Sequence, residues 1–258
     1  GSGLLFSTYL GGWSGDCDGG CALALDPQDT VFVTGVTSSP NFPTTPGAYS
    51  PSYNGGSIDG CCDAFVTRLN AAGTDLIYST FLGAADVDGG SGIAVDQAGN
   101  ATVSGNTTSV GFPTTPGAFD TSFNGQQFPD GDNNVFLARF NAEGSDLVYS
   151  TFLGIGRGWA TAVDGANNAY LTGETDDPNF PTTPNAFDTT YNGGFNDAFV
   201  AKLNLDEPTG VGLAELAAGS PNQASGLALE VAVAVLLAVA GGLLLLAMAR
   251  LRSASASR

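Results

Sequence analysis

Apolar and polar positions alternate along this chain in short runs, and the runs return three times in the same order. Residues 22–26 (ALALD), 92–96 (GIAVD) and 160–164 (ATAVD) share one alternation, and each leads through a short turn into VFVTG, ATVSG or AYLTG. Residues 63–70 (DAFVTRLN), 134–141 (NVFLARFN) and 197–204 (DAFVAKLN) form a third set. Residues 4–11 (LLFSTYLG), 76–83 (LIYSTFLG) and 147–154 (LVYSTFLG) form a fourth. Period-2 runs of this length, rich in Val, Phe, Tyr and Thr, predict strands. The turns DPQDT, DQAGN and DGANN join the first and second strands, and NAAGTD and NAEGSD join the third and fourth, with Gly at the left-handed position of the latter. The chain is therefore expected to be all-β: a unit of four antiparallel strands repeated three times, at about 4–75, 76–146 and 147–205. The first strand of each unit carries the smallest side chains, which suits an innermost strand at a crowded axis. Four-stranded antiparallel units repeated in this way are the blades of a β-propeller.

The second and third strands are separated by roughly 25 residues or more, and each of these stretches contains FPTTPGAY, FPTTPGAF or FPTTPNAF. Loops of that length are usually functional or have ordered structure of their own. With YSTFLG, the Thr-Gly ending of the second strand, the Asp-x-x-Gly-Asn turn at 96–100 and DAFVAKLN, these motifs resemble the bacterial and archaeal β-propeller repeat family labelled SBBP, for seven-bladed β-propeller. The resemblance covers residues 4 to about 205 and implies a secreted or surface propeller-like domain. It brings no assigned reaction and no catalytic residues. The strand order departs from a whole set of blades. A fourth-type strand comes first, at 4–11, and the third unit has none of its own. The 4–11 strand would then complete the last blade, yet three blades fall below the usual four to eight. Missing upstream blades, an open arc and chains that pair to complete a ring are the alternatives, and missing blades are the expectation adopted.

Beyond the repeats the pattern changes. Residues 206–226 are rich in Pro, Gly and Ala without β periodicity and read as a flexible stalk. Residues 227–249 (LALEVAVAVLLAVAGGLLLLAMA) carry one charge, Glu230. At ~1.5 Å per residue they span roughly 35 Å, enough for a hydrocarbon core of about 30 Å. Arg250, Arg252 and Arg258 follow in a short basic tail at 250–258. The positive-inside rule places that tail in the cytoplasm and the repeats outside, on a single-pass membrane protein at the cell surface. An outside domain needs an export signal and the chain begins Gly-Ser-Gly, so it is expected to derive from a longer precursor.

Charge narrows the partners. Of 25 acidic residues, 24 precede residue 227, where only Arg68, Arg139, Arg157 and Lys202 oppose them. Such a field repels phosphate backbones, so nucleic acid is excluded as a partner. Cations, basic partners or a saline habitat are the counterparts it allows. The chain contains no His, which removes Ser-His-Asp and Cys-His catalysis and His-ligated zinc.

Candidate chemistry lies in the turns and loops. Cys17, Cys21, Cys61 and Cys62 all fall in the first unit, in loops expected on one face. Outside the cell they suggest two disulfides, with a vicinal 61–62 bridge the least suited of three connectivities; a four-thiolate metal site is the sharper alternative. Asp16 and Asp18, and 70 residues on Asp86 and Asp88, stand in Asp-x-Asp-Gly-Gly sequences whose oxygens suit calcium, with turn capping as the structural alternative. Asp130, Asp132 and Asn134 form a similar run. Trp13 and Trp159, expected in loops before a first strand, could stack on a sugar ring or be buried between units. Tyr53, Phe123 and Tyr191, together with Tyr49, Phe119 and Phe187, could contact a ligand or simply dock the long loops. Asn100 and Asn106 fit the glycosylation pattern, although Asn100 is explained by its turn.

These features lead to the expectation of a binding, adhesion or scaffold module, not an enzyme, whose long loops contact a polysaccharide or surface protein. An extracellular carboxylate hydrolase or lyase is one alternative. It would need two acids in one cleft, one with a raised pKa, and the only Glu inside the repeats, Glu143 and Glu174, are not paired by sequence. A purely structural surface-layer role is the other.

Overall fold

The computed structural model describes residues 3–13, 18–55, 62–125 and 133–205. The expected stalk, membrane span and basic tail lie outside the described residues, as do Asp16, Cys17, Cys61, Asp130 and Asp132. Among the described residues there are three antiparallel sheets and no helix. The first sheet runs β1 (Asp18–Leu25), β2 (Val31–Thr37), β3 (Asp63–Leu69), β4 (Leu76–Leu82), and the second β5 (Asp88–Val95), β6 (Ala101–Thr107), β7 (Asn134–Phe140), β8 (Leu147–Ile155). The third has three strands: β9 (Arg157–Val163), β10 (Asn168–Thr175) and β11 (Asp197–Asn204). The order within each sheet follows the sequence. The third sheet lacks a fourth strand, as its motifs indicated, and residues 4–11 pair with no strand among the described residues.

The first strand of each sheet is longer than its apolar core. β1 starts at Asp18 rather than Ala22 because the Gly-Gly pair, which reads as a turn, is paired as strand: Gly19 opposes Val36 and Gly20 opposes Gly35. A β-bulge follows in all three sheets and leaves Cys21, Ser91 and Trp159 as the extra residue. Trp159 therefore stands in β9, not in the loop where it was expected. The bulge explains the Gly that ends VTG, VSG and LTG. A Cβ on Gly35, Gly105 or Gly173 would collide with the backbone carbonyl of Gly19, Gly89 or Arg157 across the ladder.

The turns close by local chemistry. The first turn of each sheet places Asp29 (φ 59°), Gly99 (φ 86°) or Asn167 (φ 57°) in the left-handed region. The Asp that opens it accepts two backbone N–H bonds: Asp26 from Gln28 (3.0 Å) and Thr30 (2.9 Å), and Asp96 from Ala98 (2.8 Å) and Asn100 (2.9 Å). A cation on the third strand then pairs with the same carboxylate. Arg68 reaches Asp26 at 2.6 Å, Arg139 reaches Asp96, and Lys202 lies 3.9 Å from Asp164. Arg68 also donates to the Ala142 carbonyl in the turn of the second sheet (3.2 Å), which ties one sheet to the next.

Burial comes from stacking the sheets in order. β5 packs against β1 and β2, and β9 packs against β5 and β6, so the first strands lie side by side. Phe32, Ala64, Val66, Tyr78 and Leu82 of the first sheet bury against Ile93, Val103 and Phe136 of the second. Leu137 and Tyr149 of the second bury against Ala169 and Leu205, which belong to or follow the third. The middle sheet is covered on both faces, while the two outer faces are not: Leu23 on β1 is 66% exposed and Val200 on β11 is 80% exposed.

This packing sets a contrast between two glycines of one ladder. Gly35→Ala should lower Tm by about 5 °C or more, because the Cβ has only backbone to displace. Gly19→Ala meets nothing closer than 3.9 Å and should leave Tm unchanged or slightly raised. Equal losses in thermal melts of the two variants would show that the close approach of the ladder is not the reason for glycine.

Candidate functional site

The long connections between second and third strands are ordered by their own motif. In the first, Phe42 packs on Phe65 (ring centroids 4.5 Å) and Phe81 (6.0 Å), and Tyr53 packs edge-on against Phe81 (5.9 Å). In the second, Phe112 packs on Phe136 (4.4 Å) and Phe152 (6.0 Å), and Phe123 meets Phe152 at 5.9 Å. The Pro-Gly or Pro-Asn step turns the chain at Gly47 (φ 80°), Gly117 (φ 79°) and Asn185 (φ 67°). Backbone bonds then brace the loop along the fourth strand. Thr45 N–H donates to the Ser79 carbonyl (3.1 Å) and Phe81 N–H to the Ser50 carbonyl (3.0 Å), with the same pair at Thr115 and Ser150 (3.0 Å) and at Phe152 and Asp120 (2.9 Å). Tyr53 and Phe123 are thus fixed parts of the loop fold. Tyr191, in the third loop, is half-buried and its hydroxyl donates to the Gly194 carbonyl at 3.2 Å.

Where the second and third loops approach each other, over the last residues of β8, they enclose a groove of about 430 Å³. One wall carries Phe119, Asp120 and Asn124, the other Asp177, Asn179 and Pro181, and Leu153 to Ile155 form the floor. The Phe119 ring is half-exposed. Asp120 accepts the Ser122 N–H (2.8 Å) and the Asn124 amide (3.0 Å), and Asp177 accepts the Asn179 N–H (2.8 Å), so each loop holds its polar groups in place before anything binds. No Lys or Arg lines the groove. On the other side of Ile155 a smaller hollow of about 140 Å³ is lined by Asn133, Arg157, Glu174, Asp176 and Asn196, with Arg157 3.9 Å from Glu174. A groove with an aromatic platform, two carboxylates and two carboxamides can hydrogen-bond a hydroxyl-rich chain while one face stacks on the ring.

Two of the four aspartates singled out as cation ligands, Asp18 and Asp88, accept hydrogen bonds from the protein. Asp18 accepts hydrogen bonds from the Thr37 hydroxyl (2.5 Å), the Ser39 hydroxyl (3.0 Å) and the Gly12 N–H (2.7 Å). Asp88 repeats the arrangement with Thr107, Ser109 (2.9 Å) and the Ala84 N–H (2.7 Å). Both begin a first strand and lock it to the second, so their lone pairs face protein donors rather than an open loop. Asp86 donates its N–H to the Ser109 hydroxyl at 3.0 Å. Among the described residues no group of three or more Cys, Asp or Glu is placed to hold a metal. Of the cysteines, Cys21 is exposed on β1 and Cys62 is buried before β3, and no disulfide joins them. Cys17 and Cys61, the other two cysteines of the expected bridges, lie outside the described residues. Trp13 is exposed, with its backbone N–H donating to the Asn41 side chain (3.3 Å), and Trp159 is half-exposed on β9. Neither touches the groove.

The groove residues Asp177 and Asn179 were not picked out from the chain, although a signal was present. The repeats read TSSPNF, TTSVGF and TDDPNF before the FPTTP motif, and only the third brings two acids there.

A second acidic feature is enclosed. Asp63, at the start of β3, and Asp88, at the start of β5, are both fully buried where the first two sheets meet. A Cβ on Gly83 would lie 2.5 Å from Asp88 Oδ2 and 2.9 Å from Asp63 Oδ1, so the two carboxylates converge on one point. Asp63 Oδ2 accepts the Asn54 N–H at 2.7 Å, and its Oδ1 has no hydrogen-bond partner. Burial, with the nearby Asp88 charge, pushes the Asp63 carboxyl up to about 7, and burial pushes Asp88 up to about 6.

Both groups bind a proton more tightly folded than unfolded. Their contribution to stability is full below the ordinary value of 3.8 and is lost as pH rises through about 6 and about 7. Asp26 and Asp96, which burial alone would raise, are held low by their turn hydrogen bonds and arginines and act with the opposite sign, below that window. Tm should therefore fall between pH 5 and pH 8. Asp63→Asn, the residue that the second sheet carries as Asn134, should flatten the fall and raise Tm at the upper end. Parallel melting curves for the variant and the parent would refute the assignment.

No family model matches this chain, and no curated protein matches it.

Proposed function

We propose that this chain is the binding part of a membrane-anchored, extracytoplasmic protein built on an arc of β-propeller blades, and that its groove between the second and third long loops holds a neutral, hydroxyl-rich polysaccharide. The observation that carries the reading is the groove itself, with Phe119 as a stacking platform and Asp120, Asn124, Asp177 and Asn179 converging around it. The absence of Lys and Arg from its walls, in a chain of net charge −18, disfavours an anionic polymer. The propeller reading is supported by the three sheets stacked with their first strands side by side, and by the motifs that resemble the SBBP repeats. The anchor rests on the apolar span at 227–249 and the arginines after it.

Binding is favoured over hydrolysis by where the acids stand. A paired-carboxylate glycosidase needs one acid with a raised pKa facing substrate. The acids with raised values, Asp63 and Asp88, are sealed between sheets, whereas those of the groove are held by their own loops.

The full chain, displayed on liposomes or in detergent, should retain a neutral cell-surface polysaccharide without shortening it. Phe119→Ala and Asn179→Ala should each weaken retention by roughly tenfold, the worth of about 1.4 kcal/mol for a stacking or bidentate contact. Unchanged retention in both variants would remove the groove as the site. Release of products over time, abolished by Asp120→Asn or Asp177→Asn, would replace the binding reading with the enzyme.

A further inference from the structure

Among the described residues the third sheet is without the fourth strand that the other two sheets have. In the first two sheets the long loop grips the fourth strand: Ser79 donates its N–H to the Thr45 hydroxyl (3.0 Å), Ser50 donates its N–H to the Thr80 hydroxyl (2.8 Å), and Ser150 and Asp120 repeat this with Thr115 (3.0 Å) and Thr151 (2.8 Å). The third loop carries the same motif, with Thr183 and Asp188 at the gripping positions, yet among the described residues it has no strand beside it and residues 181–190 are all exposed. The ring between Phe42 and Tyr53 is Phe81, and between Phe112 and Phe123 it is Phe152. Between Phe180 and Tyr191 no described ring fills that place, and Phe187 and Phe195 are bare.

A strand of the right sequence is present elsewhere in the molecule. Residues 4–11 (LLFSTYLG) match β4 and β8, form no ladder among the described residues, and leave Leu4, Leu5 and Tyr9 exposed. They already lie on the first sheet in the place that β4 takes on the second. The Phe6 ring sits on Gly73 as the Tyr78 ring sits on Gly144, and Gly12 N–H donates to Asp18 as Ala84 N–H donates to Asp88, both at 2.7 Å. The first and third sheets lie on opposite sides of the second, so the segment does not reach β11 of its own chain.

We propose that the 4–11 segment of one copy of this chain completes the third sheet of another, head to tail. The register follows from β3 and β4, where Phe65 opposes Phe81, Val66 opposes Thr80, Thr67 opposes Ser79 and Arg68 opposes Tyr78. Phe199 then opposes Tyr9, Val200 opposes Thr8, Ala201 opposes Ser7, and Lys202 opposes Phe6. Tyr9 fills the gap between Phe180 and Tyr191. The same docking covers Val200 and Tyr170 with Leu23 and Leu25 of the second copy, the counterparts of residues that bury Val66 and Phe32 between the first two sheets. The contact is heterologous, and closes into a ring when its rotation allows. It removes both the bare edge of β11 and the two bare faces.

Sedimentation of the full 258-residue chain in detergent should give a particle of at least twice the chain mass, dissociating on dilution. Thr8→Pro should return it to a single chain with Tm of the dissociated form unchanged, because residue 8 forms no ladder in the lone chain. A photo-crosslinking side chain in place of Tyr9, in a mixture of heavy- and light-isotope chains, should couple to residues 180–191 or β11 of the other isotope. A single-chain particle at every concentration would overturn the proposal. So would an assembly untouched by Thr8→Pro, which would be held elsewhere, as by the 227–249 span, and so would crosslinks confined to one chain.

Discussion

Phe65, Phe136 and Phe199 stand at one position in three sheets, with Val66, Leu137 and Val200 next to them on the opposite face; Phe136 and Phe199 turn toward the sheet before, Val66 and Leu137 toward the sheet after, while Phe65 packs on its own loop and on Leu10, and Val200 is left exposed. This alternation is the constraint on which the structure depends. With a side-chain period of two, every strand has an apolar residue on each face, so no sheet can bury itself alone. The second sheet is covered on both sides and its third strand is buried along its whole length. The outer sheets show what happens without a neighbour: β1 and β9 are exposed at most positions although their sequences match β5. Burial here is a property of the stack, as it is in repeat proteins generally.

Glycine serves the same constraint at close range. The first and second strands of each sheet approach so nearly at the bulge that Gly35, Gly105 and Gly173 have no room for a Cβ. The bulge bends the first strand at the place where neighbouring sheets meet, and it sets Asp18 and Asp88 against the hydroxyls of Thr37 and Thr107. Backbone, bulge and carboxylate are thus one device, used once per complete sheet. In the third sheet Gly156 takes the place of the Asp: its backbone N–H donates to the Asn133 carbonyl (2.8 Å) as Asp88 N–H does to the Cys62 carbonyl (2.7 Å), but with no carboxylate there the Thr175 hydroxyl donates to the Ile155 carbonyl (2.7 Å).

Much of this was legible along the chain because it is written three times. Strand order, the antiparallel pairing, the left-handed glycines at 73 and 144, and the missing fourth strand of the third unit could all be read by aligning the repeats. What misled was chemistry that looks alike in a loop and in a strand. Gly19 and Gly20 read as a turn, and turned Asp18 into a loop carboxylate; in the fold they are paired residues beside a bulge. The groove was scarcely legible, because Phe119 and Asp177 are 58 positions apart and meet only when one sheet stacks on the next. Its one trace was the acidic departure of the third repeat from the other two.

The sparse cations settle how the acidic field reaches solvent. Arg68 and Arg139 are almost wholly withdrawn into the turns of Asp26 and Asp96, where each meets a carboxylate already bound by backbone N–H groups. Removing either arginine would leave a carboxylate desolvated and short of a partner, which costs far more than a surface pair is worth. Lys202 and Arg157 are more open, yet each still stands near an acid, Asp164 or Glu174. None of the four cations in the repeats is therefore a lone positive charge, while Asp29, Asp75, Asp146, Asp176 and Asp188 remain exposed. Among the described residues the repeats thus carry no patch of unopposed positive charge. What the loops of the second and third repeats bring together is instead carboxylate, carboxamide and aromatic groups, at Asp120, Asp177, Asn124, Asn179 and Phe119.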